Sequence, residues 1–366
     1  MTVTLPARAT ADSNRAPALP RRHGARATAL FVVLGVALVL LTLYAAGRGQ
    51  LAIPAHEVWG SLMHRIGLDW GTMPTHPQGD NTLWQVRFPR IALAIVVGAA
   101  LSTAGALMQG IFGNPLAEPS VVGVSTGAAF AAAVVIVFQI QLIGTWTTAL
   151  FAFVGGLVTT LLVYALSRAD GRTEVVTLVL TGIAVNAVCA SGLALMIFLG
   201  DTQEREQIVF WQLGSLNGSR WEYVGVVTPL VVVGLVGAML MAGRLDVLAL
   251  GDRAARHVGI DVERLRLVAI VLVALLTAAA VSFAGIIAFV GLVVPHLIRM
   301  LVGPGHRVLV PASALAGAVL LLGADLIART AMTGADLPIG MLTSLVGGPF
   351  FFWLLRRTRR TAGGWA

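Results

Sequence analysis

The sequence predicts an all-α integral membrane protein of about ten transmembrane helices, and three observations predict it. Of 366 residues, 57% are hydrophobic and 11% charged, against about 45–50% and about 25% in an average soluble protein. The 41 glycines suit helices that approach one another through small residues in lipid. A span needs about 20 apolar residues, and the chain offers ten such stretches with short connections, at a mean hydropathy of +0.86. No room is left for a large water-soluble domain.

Residues 1–26 are polar and rich in Pro and Ala, carry Arg8, Arg15, Arg21, Arg22 and Arg26, and lack apolar periodicity. They are expected to form a disordered cytoplasmic tail, followed by a transmembrane domain over 27–357 and a short cytoplasmic tail over 358–366. The first helix is expected over Thr28–Ala46, longer than the roughly 7–15-residue apolar core of a signal peptide. Nine further spans are expected near 91–110, 120–138, 146–166, 175–199, 225–243, 267–284, 286–301, 311–328 and 338–355. With the N-terminus inside, inner segments hold 18 Arg and outer loops 7, as the positive-inside rule requires. Both termini are then cytoplasmic, and the chain is a multi-pass protein of the cell membrane. Small residues recur every fourth position at Gly98, Ser102, Ala106 and Gly110, and at Ala280, Ala284 and Ala288, a spacing for close helix packing. Helices two to five and seven to ten would enter the membrane from opposite sides, as in inverted-repeat transporters.

All 25 basic residues are Arg; the chain has no Lys. That excludes a P-loop nucleotide site and Schiff-base chemistry, both of which use Lys. If ATP is used, another subunit binds it. The single Cys189 excludes an intrachain disulfide and a CxxC metal site, and is expected to be a packing residue. The net charge of +8 is dispersed between apolar spans rather than gathered on a nucleic-acid-binding face. His296 is a lone His with no second ligand at metal-binding spacing, so no metal site is expected. Gln109, Asn114 and Glu118 cluster where the second helix turns into the third, and are expected to satisfy backbone groups at a helix break.

The longest inner loop, Leu245–Leu267, reads LDVLALGDRAARHVGIDVERLRL. Asp252 is placed to cap a short helix over Arg253–Val258, Gly259 to end it, and Asp261 to cap the next. Two short surface helices are expected. One side is apolar (Leu248, Leu250, Ala254, Ala255, Val258) and the other basic (Arg253, Arg256). Such an element either docks in a groove of a cytoplasmic protein or touches anionic lipid.

Five segments together resemble the FecCD family of ABC importer permeases, which carry ferric siderophores, haem or cobalamin. They are VRFPRIALAIVVGAALSTAGALMQGIFGNPLAEPSVVGVSTGAA (Val86–Ala129), WQLGSL (Trp211–Leu216), LALGDRAARHVGI (Leu248–Ile260), AGIIAFVGLVVPHLIRMLVG (Ala284–Gly303), and ADLIART with DLPIGMLTSLVGGPFFFWLL (Ala324–Leu355). The likeness runs from about residue 30 to 357. Three positions depart from the family's pattern: Gly305 stands where an acid usually precedes the His-Arg pair, Asp336 where Glu is usual, and Val258 where Leu is usual.

The resemblance implies a BtuC-like permease fold and a homodimer, or a heterodimer with a second permease. It also implies two cytoplasmic ATPase subunits that hold the ATP and Mg, a solute-binding protein outside, and no cofactor or covalent chemistry in this chain. Leu248, Leu250, Gly251, Asp252, Arg253, Ala254, Ala255, Arg256 and Gly259 match the element that couples to the ATPase. Arg87, Arg90 and Arg329 match positions that meet acids of the binding protein; the alternatives are interfacial anchoring or, for Arg329, an i,i+4 pair with Asp325. Small and weakly polar residues on the fifth helix (Thr181, Gly182, Asn186, Ser191) and tenth (Gly340, Thr343, Ser344, Gly347) suit the wall of a pathway for a bulky chelate, or equally helix packing. Ferric siderophore is the expected cargo, with cobalamin and haem as alternatives. An ion-coupled secondary transporter would need buried acids near the bilayer midplane, and only Asp325 approaches that description.

Overall fold

Among the described residues, ten apolar helices lie along the ten expected stretches. The computed structural model describes residues 22–361 apart from 170, 171 and 333. In chain order come α1 (Arg22–Gly47), α2 (Ala55–Arg65), α3 (Gly79–Asn81), a π-helical turn over Thr82–Arg87, and α4 (Phe88–Phe112). A 3-10 turn over Pro119–Val122 leads to α5 (Val124–Val137), then α6 (Thr147–Leu166), the hairpin β1 (Arg168–Ala169) with β2 (Arg172–Thr173), and α7 (Val175–Leu199). After these follow α8 (Thr202–Leu213), α9 (Trp221–Leu248), α10 (Asp252–His257), α11 (Val262–Ala284), α12 (Val290–Val302), α13 (His306–Thr330) and α14 (Ile339–Thr361).

Seven helical segments among the described residues are long and apolar enough to cross a membrane, whereas α5, α12 and the apolar part of α14 are shorter. At about 1.5 Å per residue the 13 residues of α12 reach roughly 20 Å, less than the hydrocarbon thickness of about 30 Å. The eighth span, expected from residue 286, therefore begins as non-helical chain. Gly285 (φ 68°) ends α11, and the chain runs unwound to Phe289, whose own φ of 67° starts α12. Ala288 lies in this unwound stretch, so the expected small-residue spacing holds only through Ala280 and Ala284.

Long helices α4 and α11 form the buried centre. Their most apolar windows are 78% and 72% buried, against 11% for α1 and α7. The small-residue stripe on α4 explains the close approach. A Cβ on Gly98 would stand 2.3 Å from the Gly317 carbonyl oxygen, and one on Gly105 only 1.7 Å from that of Gly291. Ser102 donates to the Ser313 carbonyl at 2.8 Å, joining α4 to α13. The halves repeat a pattern: a buried helix, a short unwound segment, then a short helix whose N-cap is left-handed, Gly123 (φ 87°) before α5 and Phe289 before α12.

Four local features differ from expectation. Helix α1 starts at Arg22, within the expected tail, of which residues 1–21 lie outside the described residues. Helix α14 runs to Thr361, past the expected boundary at 357; residues 362–366 are outside the description. Helices α2 and α8 fill loops with no expected structure. The inner loop forms one short helix rather than two, because the segment capped by Asp261 continues without a break into α11.

Candidate functional site

Two clusters of polar side chains lie at opposite ends of the bundle. At the end carrying α10, Gly251 (φ 106°) turns the chain out of α9, and Gly259 (φ 83°) turns it back towards α11. Both need a backbone conformation that glycine adopts without steric cost. Gly251, not Asp252, is the N-cap of α10. Asp252 sits in the first turn, where its charge favours the helix dipole, and is held by Arg266. The Arg266 Nη2 donates to Asp252 Oδ1 at 2.9 Å, and its Nη1 donates to the Thr173 carbonyl at 3.1 Å. Glu263 accepts from the Thr173 N–H at 3.0 Å. The short α10 is thus braced through α11 to the hairpin between α6 and α7.

Ala255 packs inward, fully buried, and Leu248 closes the end of α9. Leu250 and Val258, on either side of α10, are 76% and 67% exposed. Arg253, Arg256 and His257 are exposed between them, with Arg256 3.9 Å from Asp252. Beside the element lies a cavity of about 390 Å³ lined by Arg244, Gly259, Asp261 and Arg264. This end therefore presents an apolar and basic projection on a stiff support.

At the other end, Arg87 and Arg90 are not free at an exposed mouth. They are 4% and 7% exposed. Arg87 donates through its two Nη atoms to the carbonyls of Ala46 and Leu51, tying the end of α1 to the start of α4. Arg90 Nε meets Asp325 at 2.8 Å and its Nη1 meets Asp336 at 2.6 Å. Arg329 lies 3.6 Å from Asp325, in the i,i+4 arrangement anticipated as an alternative, and donates to the carbonyls of Arg48 and Ala45. Arg90 and Arg329 thus share the two carboxylates while Arg87 has only backbone carbonyls for partners, leaving a positive excess beside a polar cavity of about 440 Å³ that all three arginines line with Asn217 and Asp336. The sequence gives no sign of the Arg90–Asp336 contact, which joins residues far apart in the chain. The general rule that an arginine near a span needs an acid partner points to Asp325.

On α7, Asn186 accepts from the Thr126 hydroxyl and donates to the Ser120 carbonyl at 3.2 Å. Gly182 abuts the Val121 carbonyl, so a Cβ there would stand 2.0 Å from it. Thr181 is half-buried and Ser191 exposed. On α14, Gly340 fits against the carbonyls of Ile286 and Leu213, and Gly347 against the Phe289 side chain. Thr343 turns back to the Gly340 carbonyl at 3.1 Å, and Ser344 is half-buried. Gly182, Gly340 and Gly347 thus pack helix against chain, and the weakly polar faces left open belong to Thr181, Ser191 and Ser344. Three polar residues at the α4–α5 break satisfy backbone groups, as expected. Gln109 donates to the Leu292 carbonyl at 3.1 Å, Asn114 accepts from Leu116 N–H at 2.9 Å, and Glu118 accepts from Phe289 N–H at 3.2 Å. Among the described residues no group of three His, Cys, Asp or Glu side chains could hold a metal ion.

Comparison with known proteins fits this arrangement. The chain is 38% identical to the hemin transport system permease protein HmuU of Yersinia pestis over 340 residues, covering 91% of this chain and 98% of that one. It is 42% identical over 272 residues to the cobalamin import system permease protein BtuC of Halobacterium salinarum, covering 74% and 72%. With the vitamin B12 import system permease protein BtuC of Vibrio cholerae it shares 36% over 327 residues, covering 89% and 93%. Among solved structures it superposes on a metal-chelate type ABC transporter in an inward-facing conformation with a TM-score of 0.79 and 31% identity, covering 90% of this chain and 99% of that one. Residues 37–357 match the FecCD transport family, and the chain belongs to that family as the membrane permease of an ABC importer.

Proposed function

We propose that this permease moves a bulky metal chelate, in the first place a ferric siderophore, through a pathway between two permease copies driven by separate ATPase subunits. The carrying observation is α10, a short helix with Leu250 and Val258 exposed, Arg253 and Arg256 around them, and a rigid tie through Arg266 to a neighbouring hairpin. An exposed apolar patch rimmed by polar groups on a stiff mount is suited to a protein groove. That occupant is the ATPase, which supplies the ATP and Mg site that a chain without Lys cannot build. The α10 end faces the cytoplasm, where the excess of Arg lies.

Pairing of two copies, or of this chain with a second permease, uses the exposed apolar faces of α7 and α14, including Val188, Phe198, Leu345 and Val346. Thr181, Ser191 and Ser344 then line the passage as weakly polar walls that hold no cargo tightly. At the opposite end the positive excess of Arg87, Arg90 and Arg329 receives an acidic face of the extracytoplasmic binding protein. Haem is the second reading, favoured by the near full-length likeness to a hemin permease, and cobalamin the third. Uptake of labelled iron on hydroxamate and catecholate siderophores, of labelled haemin and of labelled cobalamin, in a deletion strain and its complemented parent, separates the three. Loss of siderophore iron alone is expected; loss of haemin or cobalamin alone transfers the assignment to that cargo.

A further inference from the structure

Four helix ends meet at His306, a residue that neither the packing stripe nor the α10 element accounts for. His306 is 1% exposed and opens α13. Its backbone N–H donates to Asp246 Oδ1 at 2.6 Å, and its ring Nδ1–H donates to the same oxygen at 2.8 Å. Asp246 belongs not to α13 but to the last turns of α9, four residues before Leu250. The carboxylate thus supplies across a helix pair the N-terminal cap that Gly305 cannot, since the N-cap of α13 has no side-chain hydrogen bond of its own. The opposite ring edge stands over α4: a Cβ on Gly110 would lie 2.7 Å from His306 Nε2. Arg299 of α12 lies within electrostatic reach of both partners and contacts Gln109 of α4 at 3.5 Å. A second contact runs parallel, with the Arg307 guanidinium against Gly243 of α9.

We propose that Asp246 and His306 form a clasp that makes the α9–α10 corner and the start of α13 move as one piece. Displacement of α10 by an ATPase is thereby passed to α13 and, through Gly110, to the central helix α4. Asp246 is a positioning residue in this reading, which rests on α10 being the docking element. One oxygen receiving two donors from a buried residue is a connection that a one-turn slip of α9 would break entirely, so the joint transmits motion instead of absorbing it.

Hydrogen–deuterium exchange on the complete transporter in nanodiscs, permease with its ATPase subunits, tests this with and without vanadate-trapped ATP and needs no cargo. In the parent protein ATP is expected to slow exchange at 252–258 and at 306–311, each by about threefold or more. Asp246→Ala should keep the response at 252–258 and lose it at 306–311, while Asp246→Asn, which retains an acceptor oxygen, should largely restore it. His306→Gln provides the same test should Asp246→Ala fail to assemble. A parent protein that responds at 252–258 but not at 306–311 overturns the clasp. So does an Asp246→Ala protein whose 306–311 exchange is faster throughout yet still responds to ATP, since Asp246 would then only stabilise a helix end. Absence of any response at 252–258 removes α10 as the docking element, and the clasp with it.

Discussion

At the scale of single residues, glycine decides how closely the central helices approach. Gly105 on α4 faces the Gly291 carbonyl so tightly that an added methyl would need the backbones of α4 and α12 to part. Overpacking of this kind costs about 1–3 kcal/mol or more where only backbone stands in the way. Gly35 on α1 has nothing within 4 Å of such a methyl, and there alanine's better helix propensity gains up to about 1 kcal/mol. Gly105→Ala is therefore expected to lower the melting temperature in detergent by several degrees, and Gly35→Ala to leave it unchanged or raise it slightly. Equal behaviour of the two would show that α4 and α12 are looser than these distances require. The charged residues obey a different rule. Arg90 and Asp325 are both buried, and removing one partner leaves the other without compensation, a loss of about 3–5 kcal/mol in general. Their role in holding α4 to α13 thus exists whether or not a binding protein also uses the positive excess around them.

At the scale of elements, α10 depends on a residue of another helix. Six residues are too few to hold a helix in water alone, so the Arg266 link to Asp252 and Thr173 sets its position. Arg266→Ala would leave the Thr173 carbonyl unpaired and α10 free of the hairpin, at about 1–3 kcal/mol. Co-purification of ATPase subunits with the permease is expected to fall about tenfold, the equivalent of roughly 1.4 kcal/mol. Arg266→Lys should recover it only in part, because one ammonium group cannot reproduce the forked contact. Unchanged co-purification would mean that α10 docks independently of its brace. The ten apolar stretches were legible because hydropathy is a sum over many residues and tolerates local error. Helix α8 carried a signal that a search for long apolar runs passes over: Asp201 and Glu204 form a capping box. Helix α2 had no such mark, and its position follows from Glu57 accepting from Thr75 at 3.0 and 3.2 Å, a contact local sequence does not encode.

At the scale of the whole molecule, the pattern of charge is what supports the proposed orientation, with the α10 end in the cytoplasm. The candidate sites were legible as residue types, but as partnerships only where the partners are close in sequence, as in the i,i+4 pair of Arg329 with Asp325. Arg87, Arg90 and Arg329 could be singled out as arginines beside spans, yet Arg90 binds Asp336 across most of the chain, and no spacing rule reaches that far. The same holds for Asp246 and His306. Orientation, by contrast, rests on counts that need no contacts: 18 Arg on one side of the proposed topology and 7 on the other. It carries the assignment of α10 to the ATPase and of the arginine cluster to the binding protein, so reversing it would exchange the two partners. In a Cys189→Ser background, Glu206→Cys on the exposed face of α8 and Arg253→Cys on α10 report opposite ends of the bundle. A membrane-impermeant maleimide added to intact cells is expected to label position 206 at once, and position 253 only after the membrane is opened. Both residues are exposed in the isolated chain, and the rise in labelling of 253 on opening the membrane is what assigns the block in intact cells to the membrane rather than to a docked subunit. Labelling of 253 in intact cells would place α10 outside, where no ATP is available to a docked subunit.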